Sequence, residues 1–169
     1  DKCMAGPSFL AHVLVQKFAD HLPLYRQERM LKRDGIAISR ATLCTWVSRC
    51  GQMLDPIAKA ILHTILESPC VQTDDTGLLI QVAEAGEAKK GYVWTYTTKD
   101  NLVYYQLTTG RGGDGPKEIL GAYSGFVQAD ALASYDALFK EGNATEVGCW
   151  AHARRKFIEA LDSDRDRAQ

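Results

Sequence analysis

The chain of 169 residues is 46% hydrophobic and 24% charged, enough for one full domain with a smaller appendage and a buried core, which excludes a disordered or low-complexity protein. Its net charge of −1 excludes a uniformly basic nucleic-acid binder, yet residues 1–69 hold nine Lys/Arg against six Asp/Glu while residues 70–169 hold eleven against fifteen. No apolar run reaches membrane-spanning length, no signal peptide is recognisable, and five cysteines, an odd number, read as reduced thiols, so a cytoplasmic protein with no membrane partner is expected.

Residues 8–67 read as helices. Phe9, Leu10, Val13, Leu14 and Phe18 recur at three- and four-residue spacing, and Pro23 ends or restarts that element. A second helix runs roughly from Pro23 to Asp34 and is closed by Gly35, since glycine is the usual residue just past a helix end. Ser39 is an N-cap for a third helix through Arg49, followed by Gly51. Leu54, Ile57, Ala58, Ile61, Leu62 and Ile65 mark a fourth, which stops at Ser68-Pro69, the clearest break in the chain. The second and third helices have helix-turn-helix proportions. On that reading Arg40, Thr42, Thr45 and Arg49 face DNA, and Arg26, Arg29, Lys32 and Arg33 reach phosphates. A plain helical bundle with solvated basic residues fits the same pattern.

From Cys70 the period changes. Residues 70–82, 91–98 and 102–109 are rich in Val, Ile, Tyr, Thr and Trp and predict three strands, with Lys99-Asp100-Asn101 turning between the last two. A short helix is expected at 116–123, a strand at 125–130, a helix near 133–140, a strand at 145–150 and a helix from 151. Three meandering strands followed by alternating helix and strand make an α/β pattern with a mixed sheet, preceded by an all-α region; the expected domains are 1–69 and 70–169.

Two aspartates stand out within this order, Asp74 in Val71-Gln72-Thr73-Asp74-Asp75-Thr76 and Asp130 in Phe126-Val127-Gln128-Ala129-Asp130. If the first strand is central and the fourth lies beside it, the two carboxylates face each other across one strand spacing, about 5 Å. Paired carboxylates on strands can hold divalent metal for phosphodiester chemistry, in which two ions about 4 Å apart activate the attacking oxygen and stabilise the leaving one. The same residues also fit a polar bend and a helix cap, and alternation alone leaves open whether Asp74 or Asp75 is the inward one.

Gly110-Arg111-Gly112-Gly113-Asp114-Gly115 has the spacing of a dinucleotide fingerprint, but Pro116 would remove a backbone donor from its helix, so a flexible strand-to-helix loop is expected. Cys149 and His152 are spaced as half a zinc site with no second close pair. Arg154, Arg155 and Lys156 follow in what reads as the first turn of a helix, where free amides and basic side chains together suit phosphate.

Three strings carry a resemblance: Ala19-Asp20-His21-Leu22-Pro23-Leu24-Tyr25-Arg26-Gln27-Glu28; Ser39-Arg40-Ala41-Thr42-Leu43 with Trp46-Val47; and Gln128-Ala129-Asp130 with Tyr135, then Cys149-Trp150-Ala151-His152-Ala153-Arg154-Arg155-Lys156-Phe157. They resemble the insertion-sequence-66-type bacterial transposases over nearly the whole chain. That family is similar to the DDE transposases, whose catalytic domain has the ribonuclease-H-like fold. The resemblance implies Asp74 and Asp130 as catalytic and metal-binding residues for Mg²⁺ or Mn²⁺. It implies His152, Arg154, Arg155 and Lys156, with Arg40 and Arg49, as DNA-binding residues. For His152 the alternatives of contacting DNA, orienting a carboxylate or serving as a satisfied structural histidine stay open.

The family has Ala-Asp-Glu-Thr where this chain has Thr73-Asp74-Asp75-Thr76, which leaves the metal ligand itself unchanged. The family's third carboxylate, in an Asn-Asn-x-x-Glu-Arg motif, and its zinc-binding cysteines have no counterpart here. Glu159, Asp162 and Asp166 are the local substitutes and read as a solvated helix surface. What the resemblance implies is an interior portion of a transposase, inactive alone. The whole enzyme would act in the nucleoid on double-stranded DNA, at element ends and target, as a homo-oligomer. A self-contained nuclease of this fold and a non-catalytic DNA-binding remnant are the alternatives.

Overall fold

The computed structural model describes residues 4–81 and 88–161. Contacts divide the chain into two compact units, Asp1–Ala58 and Lys59–Gln169, each with its own apolar cluster.

The first unit contains α1 (Pro7–Phe18), α2 (Leu24–Arg33) and the start of α3 (Arg40–Leu66). Its core is Val13, Leu24, Leu43 and Trp46, with Phe9 edge-on to Trp46 at 6.2 Å between ring centroids. The joint between α2 and α3 satisfies helix-end groups one by one. Gly35 adopts φ +79°, the left-handed conformation that lets Ile36 N–H reach back to the Leu31 carbonyl at 2.8 Å. Ser39 Oγ accepts the Thr42 amide at 3.2 Å, so the expected N-cap forms, and Glu28 Oε1 accepts the Arg40 amide at 2.8 Å.

The third and fourth expected helices are a single helix, α3, with Gly51 and Pro56 inside it. Gly35 is the positive-φ glycine among the described residues, so Gly51 keeps ordinary backbone and ends nothing. Pro56 withdraws one donor, from the Gln52 carbonyl, in a stretch exposed throughout residues 51–57, where water can take its place.

The second unit is built on strands β1 (Cys70–Gln81), β2 (Ala88–Thr97), β3 (Val103–Thr108), β4 (Phe126–Ala129) and β5 (Thr145–Gly148). They form one sheet in the order β3-β2-β1-β4-β5. The β1–β2 and β2–β3 pairs are antiparallel, and β1–β4 and β4–β5 are parallel. Helices α4 (Asp114–Leu120), α5 (Asp136–Glu141, entered through a 3-10 turn at Ala133–Tyr135) and α6 (Trp150–Ala160) complete it. This is the mixed α/β sheet that the element order implied, and it agrees with the ribonuclease-H-like fold that the resemblance implied.

Alternation explains which face is buried. Val71 and Thr73 on β1, Trp94 and Tyr96 on β2, and Val127 and Ala129 on β4 are buried together with Leu120, Tyr135 and Leu138. Trp94 packs edge-on against Tyr135 with centroids 5.9 Å apart and donates Nε1–H to Thr108 Oγ1 at 2.8 Å. Asn101, at φ +59°, closes the β2–β3 hairpin by donating its amide to the Thr98 carbonyl.

The glycine-rich segment is a strand-to-helix loop over residues 109–113, as expected, with its helix starting two residues earlier than expected. α4 begins at Asp114, so Pro116 sits in the first turn, where its missing donor has no helical partner to lose. A Cβ on Gly113 would lie 2.7 Å from the Ser134 carbonyl oxygen, and one on Gly115 would lie 3.0 Å from Trp94 Nε1. Gly113 and Gly115 thus make room for the chain's own backbone and side chains, whereas Gly110 and Gly112 have open space around them.

Candidate metal centre

The register of β1 on β4 decides where the two aspartates go. Val71 pairs with Val127 and Gln72 with Gln128, and Gln72 Nε2–H donates to Gln128 Oε1 at 2.7 Å across the strands. Two residues on, where the side-chain period returns to the same face, stand Asp74 and Asp130. Asp130 is the residue just past the end of β4.

The start of α6 supplies the third group. Cys149 N–H donates to the Ala129 carbonyl at 3.1 Å, fixing the helix start beside Asp130, and the Cys149 carbonyl receives the amides of His152 and Ala153. His152 therefore lies in the first turn of α6, and Arg154, Arg155 and Lys156 lie past it rather than in the first turn. One ligand atom from each of Asp74, Asp130 and His152 lies within 4.8 Å of the others. His152 Nε2 is 3.6 Å from Asp74 Oδ2. Asp130 Oδ1 and His152 Nδ1 are both buried without a hydrogen-bond partner among the described residues. A buried carboxylate oxygen with nothing to accept from is costly, and Asp130 lines the same groove as Asp74 and His152. The residues present thus fit a divalent metal: two carboxylates and one imidazole, all capable donors.

The neighbouring aspartates of β1 both line the groove but differ in their surroundings. Asp74 is 57% exposed at its side chain and opens on a groove of about 760 Å³. The Asp75 side chain is 2% exposed and both its oxygens take hydrogen bonds from Arg111, Nε–H at 2.8 Å and Nη2–H at 3.0 Å. The hydrogen bond to Asp75 raises the Arg111 guanidinium pKa above its ordinary value, with Asp130 adding to it, so Arg111 is a permanent cation. The Arg111 carbonyl accepts Ser134 Oγ–H, and its guanidinium lies 5.9 Å from the Tyr92 ring centroid.

Next to Ser134, the Tyr135 hydroxyl shares a hydrogen bond with Thr73 Oγ1 at 3.2 Å. Burial, with the nearby carboxylates adding, pushes the Tyr135 pKa up, so the phenol stays neutral. The backbone on either side of Asp74 is thereby tied to the segment just after Asp130. Arg111 is the residue that sequence reasoning missed. Its one signal was a lone arginine among glycines, whose long-range partner Asp75 no local pattern reveals.

Arg155 and Lys156 line the groove with His152; Arg154 is exposed elsewhere on α6. Lys156 Nζ–H bonds Glu159 Oε2 at 3.0 Å. Glu159 also lines the groove but is not one of the three residues whose ligand atoms meet. Asp162 and Asp166 lie outside the described residues. Cys149 is a free thiol outside the ligand set, which leaves the zinc reading without support among the described residues. Arg40 and Arg49 are both exposed on α3. Among the described residues no helix is long and apolar enough to cross a membrane.

Comparison with known proteins agrees with this picture. Three uncharacterised proteins of Sinorhizobium fredii (strain NBRC 101917 / NGR234) are similar. Protein y4qI is 35% identical over 89% of this chain and 31% of its own length; y4hP is 32% identical over 93% and 30%; y4jD is 30% identical over 95% and 34%. The chain thus spans about a third of these relatives. A simian T-cell lymphotropic virus intasome, solved by cryo-electron microscopy in complex with PP2A regulatory subunit B56 gamma, matches 57% of this chain and 42% of its own. That match has 11% identity and a TM-score of 0.32, too slight to bear on function. The description "Transposase IS66 family" belongs to a family model matching residues 2–169, and this chain is accordingly a member of the IS66 family of transposases.

Proposed function

We propose that this chain is the metal-binding part of a DNA transposase that cuts phosphodiester bonds at the ends of an insertion sequence and joins them to target DNA. The observation that carries the reading is the convergence of Asp74 and Asp130 on one face, with a buried and unpartnered Asp130 oxygen, beside a groove lined by Arg155 and Lys156. Asp74 and Asp130 hold Mg²⁺ or Mn²⁺, which when bound supplies Lewis-acid polarisation of a phosphoryl oxygen and an activated water or 3′ hydroxyl. Arg155 and Lys156 bind DNA phosphates along the groove, and the Asp75–Arg111 pair keeps a second β1 carboxylate away from the metal. On this reading residues 70–169 are the catalytic core and residues 1–69 a DNA-contacting helix-turn-helix segment, and the whole enzyme pairs two DNA ends as an oligomer.

Calorimetric titration of Mg²⁺ and Mn²⁺ tests the centre. The wild-type chain binds, and Asp74→Asn/Asp130→Asn does not; equal binding by both, or none by the wild type, removes the metal reading and leaves a DNA-binding module.

The first unit is tested separately. Binding of the whole chain to double-stranded DNA, followed by fluorescence anisotropy, weakens steeply with salt, and Arg40→Ala and Arg49→Ala each lower the log–log salt slope by about 1. Slopes unchanged in both variants return α3 to a purely structural role.

A further inference from the structure

The two aspartates leave one coordination question that the geometry addresses. His152 is the remaining member of the set whose ligand atoms lie within 4.8 Å. Ligands about 2.1 Å from a small octahedral cation stand ~3.0 Å apart in cis and ~4.2 Å apart in trans, so side-chain adjustments of up to about 2 Å bring all three into contact with one ion. His152 is placed by backbone hydrogen bonds at the start of α6, anchored through Cys149 to the end of β4. Among the described residues its ring is held by neither nitrogen. Nε2 stands 3.6 Å from Asp74 Oδ2, beyond a well-formed hydrogen bond, and Nδ1 is buried without a partner among the described residues. A buried histidine nitrogen such as Nδ1 ordinarily has a hydrogen-bond partner. Here the backbone aims an uncommitted imidazole at two carboxylates, one of which holds a buried oxygen equally uncommitted.

We propose that His152 is a metal ligand, making the centre on this chain a two-aspartate, one-histidine site that prefers Mn²⁺ to Mg²⁺. This rests on the metal reading above. The preference follows from ligand chemistry. Magnesium is hard, favours oxygen and keeps much of its water, whereas imidazole nitrogen suits the first-row transition ions, whose affinity for a nitrogen-containing site exceeds that of magnesium. Glu159, the competing candidate for a further ligand, lines the groove but is not among the residues whose ligand atoms meet.

The test is pulsed electron paramagnetic resonance of Mn²⁺ bound to the whole 169-residue chain, with ¹⁴N- and ¹⁵N-histidine labelling, together with Mn²⁺ and Mg²⁺ affinities of the wild type, His152→Ala and Asp74→Asn/Asp130→Asn. The expected result is a directly coordinated histidine nitrogen whose modulation changes with the isotope. His152→Ala removes it, lowers Mn²⁺ affinity about tenfold and leaves Mg²⁺ affinity within about twofold, collapsing the preference. Mn²⁺ that binds, is lost in the double aspartate variant and shows no histidine nitrogen would overturn the His152 assignment and keep the metal centre. No Mn²⁺ binding by the wild type would overturn both. Because the isotope experiment uses the wild-type chain, a His152→Ala variant that fails to fold does not blunt it.

Discussion

Replacing Trp94 by alanine lowers the stability of the second unit by about 3–5 kcal/mol, a large share of the ~5–15 kcal/mol typical of a domain. Trp94 is 0% exposed and sits where three parts of the core meet. Its ring edge packs on Tyr135, its Nε1–H is satisfied by Thr108, and Gly115 brings α4 against it so closely that a Cβ would stand 3.0 Å from Nε1. Truncation removes the largest buried side chain of the sheet and leaves a cavity bounded by strand and helix backbones, which collapse poorly. Trp94→Phe keeps most of the apolar contact, and Thr108 Oγ1 still has the Gly110 carbonyl as acceptor at 2.8 Å, so the loss is smaller, about 1–2 kcal/mol. Gly115→Ala, from the opposite direction, overfills the same contact and costs about 1–3 kcal/mol. Urea unfolding followed by far-ultraviolet circular dichroism ranks the three. A Trp94→Ala loss below 1 kcal/mol would show that this contact does not anchor the core.

The same residues show what was legible in the sequence. Strand identity and order were readable because Val71, Thr73, Trp94, Tyr96 and Val127 carry a period of two between clear turn signals, and such runs form strands wherever they can bury one face. That order allowed β1 and β4 to be neighbours, which would bring Asp74 beside Asp130, and the sheet pairs them so. Local punctuation was less reliable. Gly51 read as the end of a helix, yet α3 passes through it and through Pro56, because an exposed stretch lets water replace the single hydrogen bond that Pro56 removes. The glycine-rich segment was legible as a connection but not as a packed one, because the groups that fill the space at Gly113 and Gly115 come from Ser134 and Trp94, distant in sequence. The role of Arg111 was hidden for the same reason, as was the choice between Asp74 and Asp75, which depends on the surroundings of each.

Removing Arg111 destabilises the protein more than removing the charge of its partner, and this asymmetry is a direct consequence of where each group lies. Asp75 is 2% exposed at its side chain and Arg111 45% exposed. Without Arg111 the carboxylate remains buried with no cation, a situation that costs about 3–5 kcal/mol when fully dry. Water entering through the half-exposed space that Arg111 vacates reduces this to about 2–3 kcal/mol. Asp75→Asn, by contrast, leaves a guanidinium that can swing into water and a side chain whose amide oxygen still accepts one hydrogen bond, for a loss of about 1 kcal/mol. The double variant Asp75→Asn/Arg111→Ala then recovers part of the Arg111→Ala loss, because no buried charge is left behind.

Chemical unfolding of the wild type, both single variants and the double variant yields the coupling. Hydrogen exchange adds the local consequence, faster exchange in residues 110–115 and 131–135, since the Arg111 carbonyl is held by Ser134 Oγ–H. Equal losses in the two single variants would mean that water already reaches Asp75. A double variant as unstable as the sum of the singles would mean that the pair acts as two independent groups rather than as the clasp that joins β1 to the loop beside the candidate metal centre.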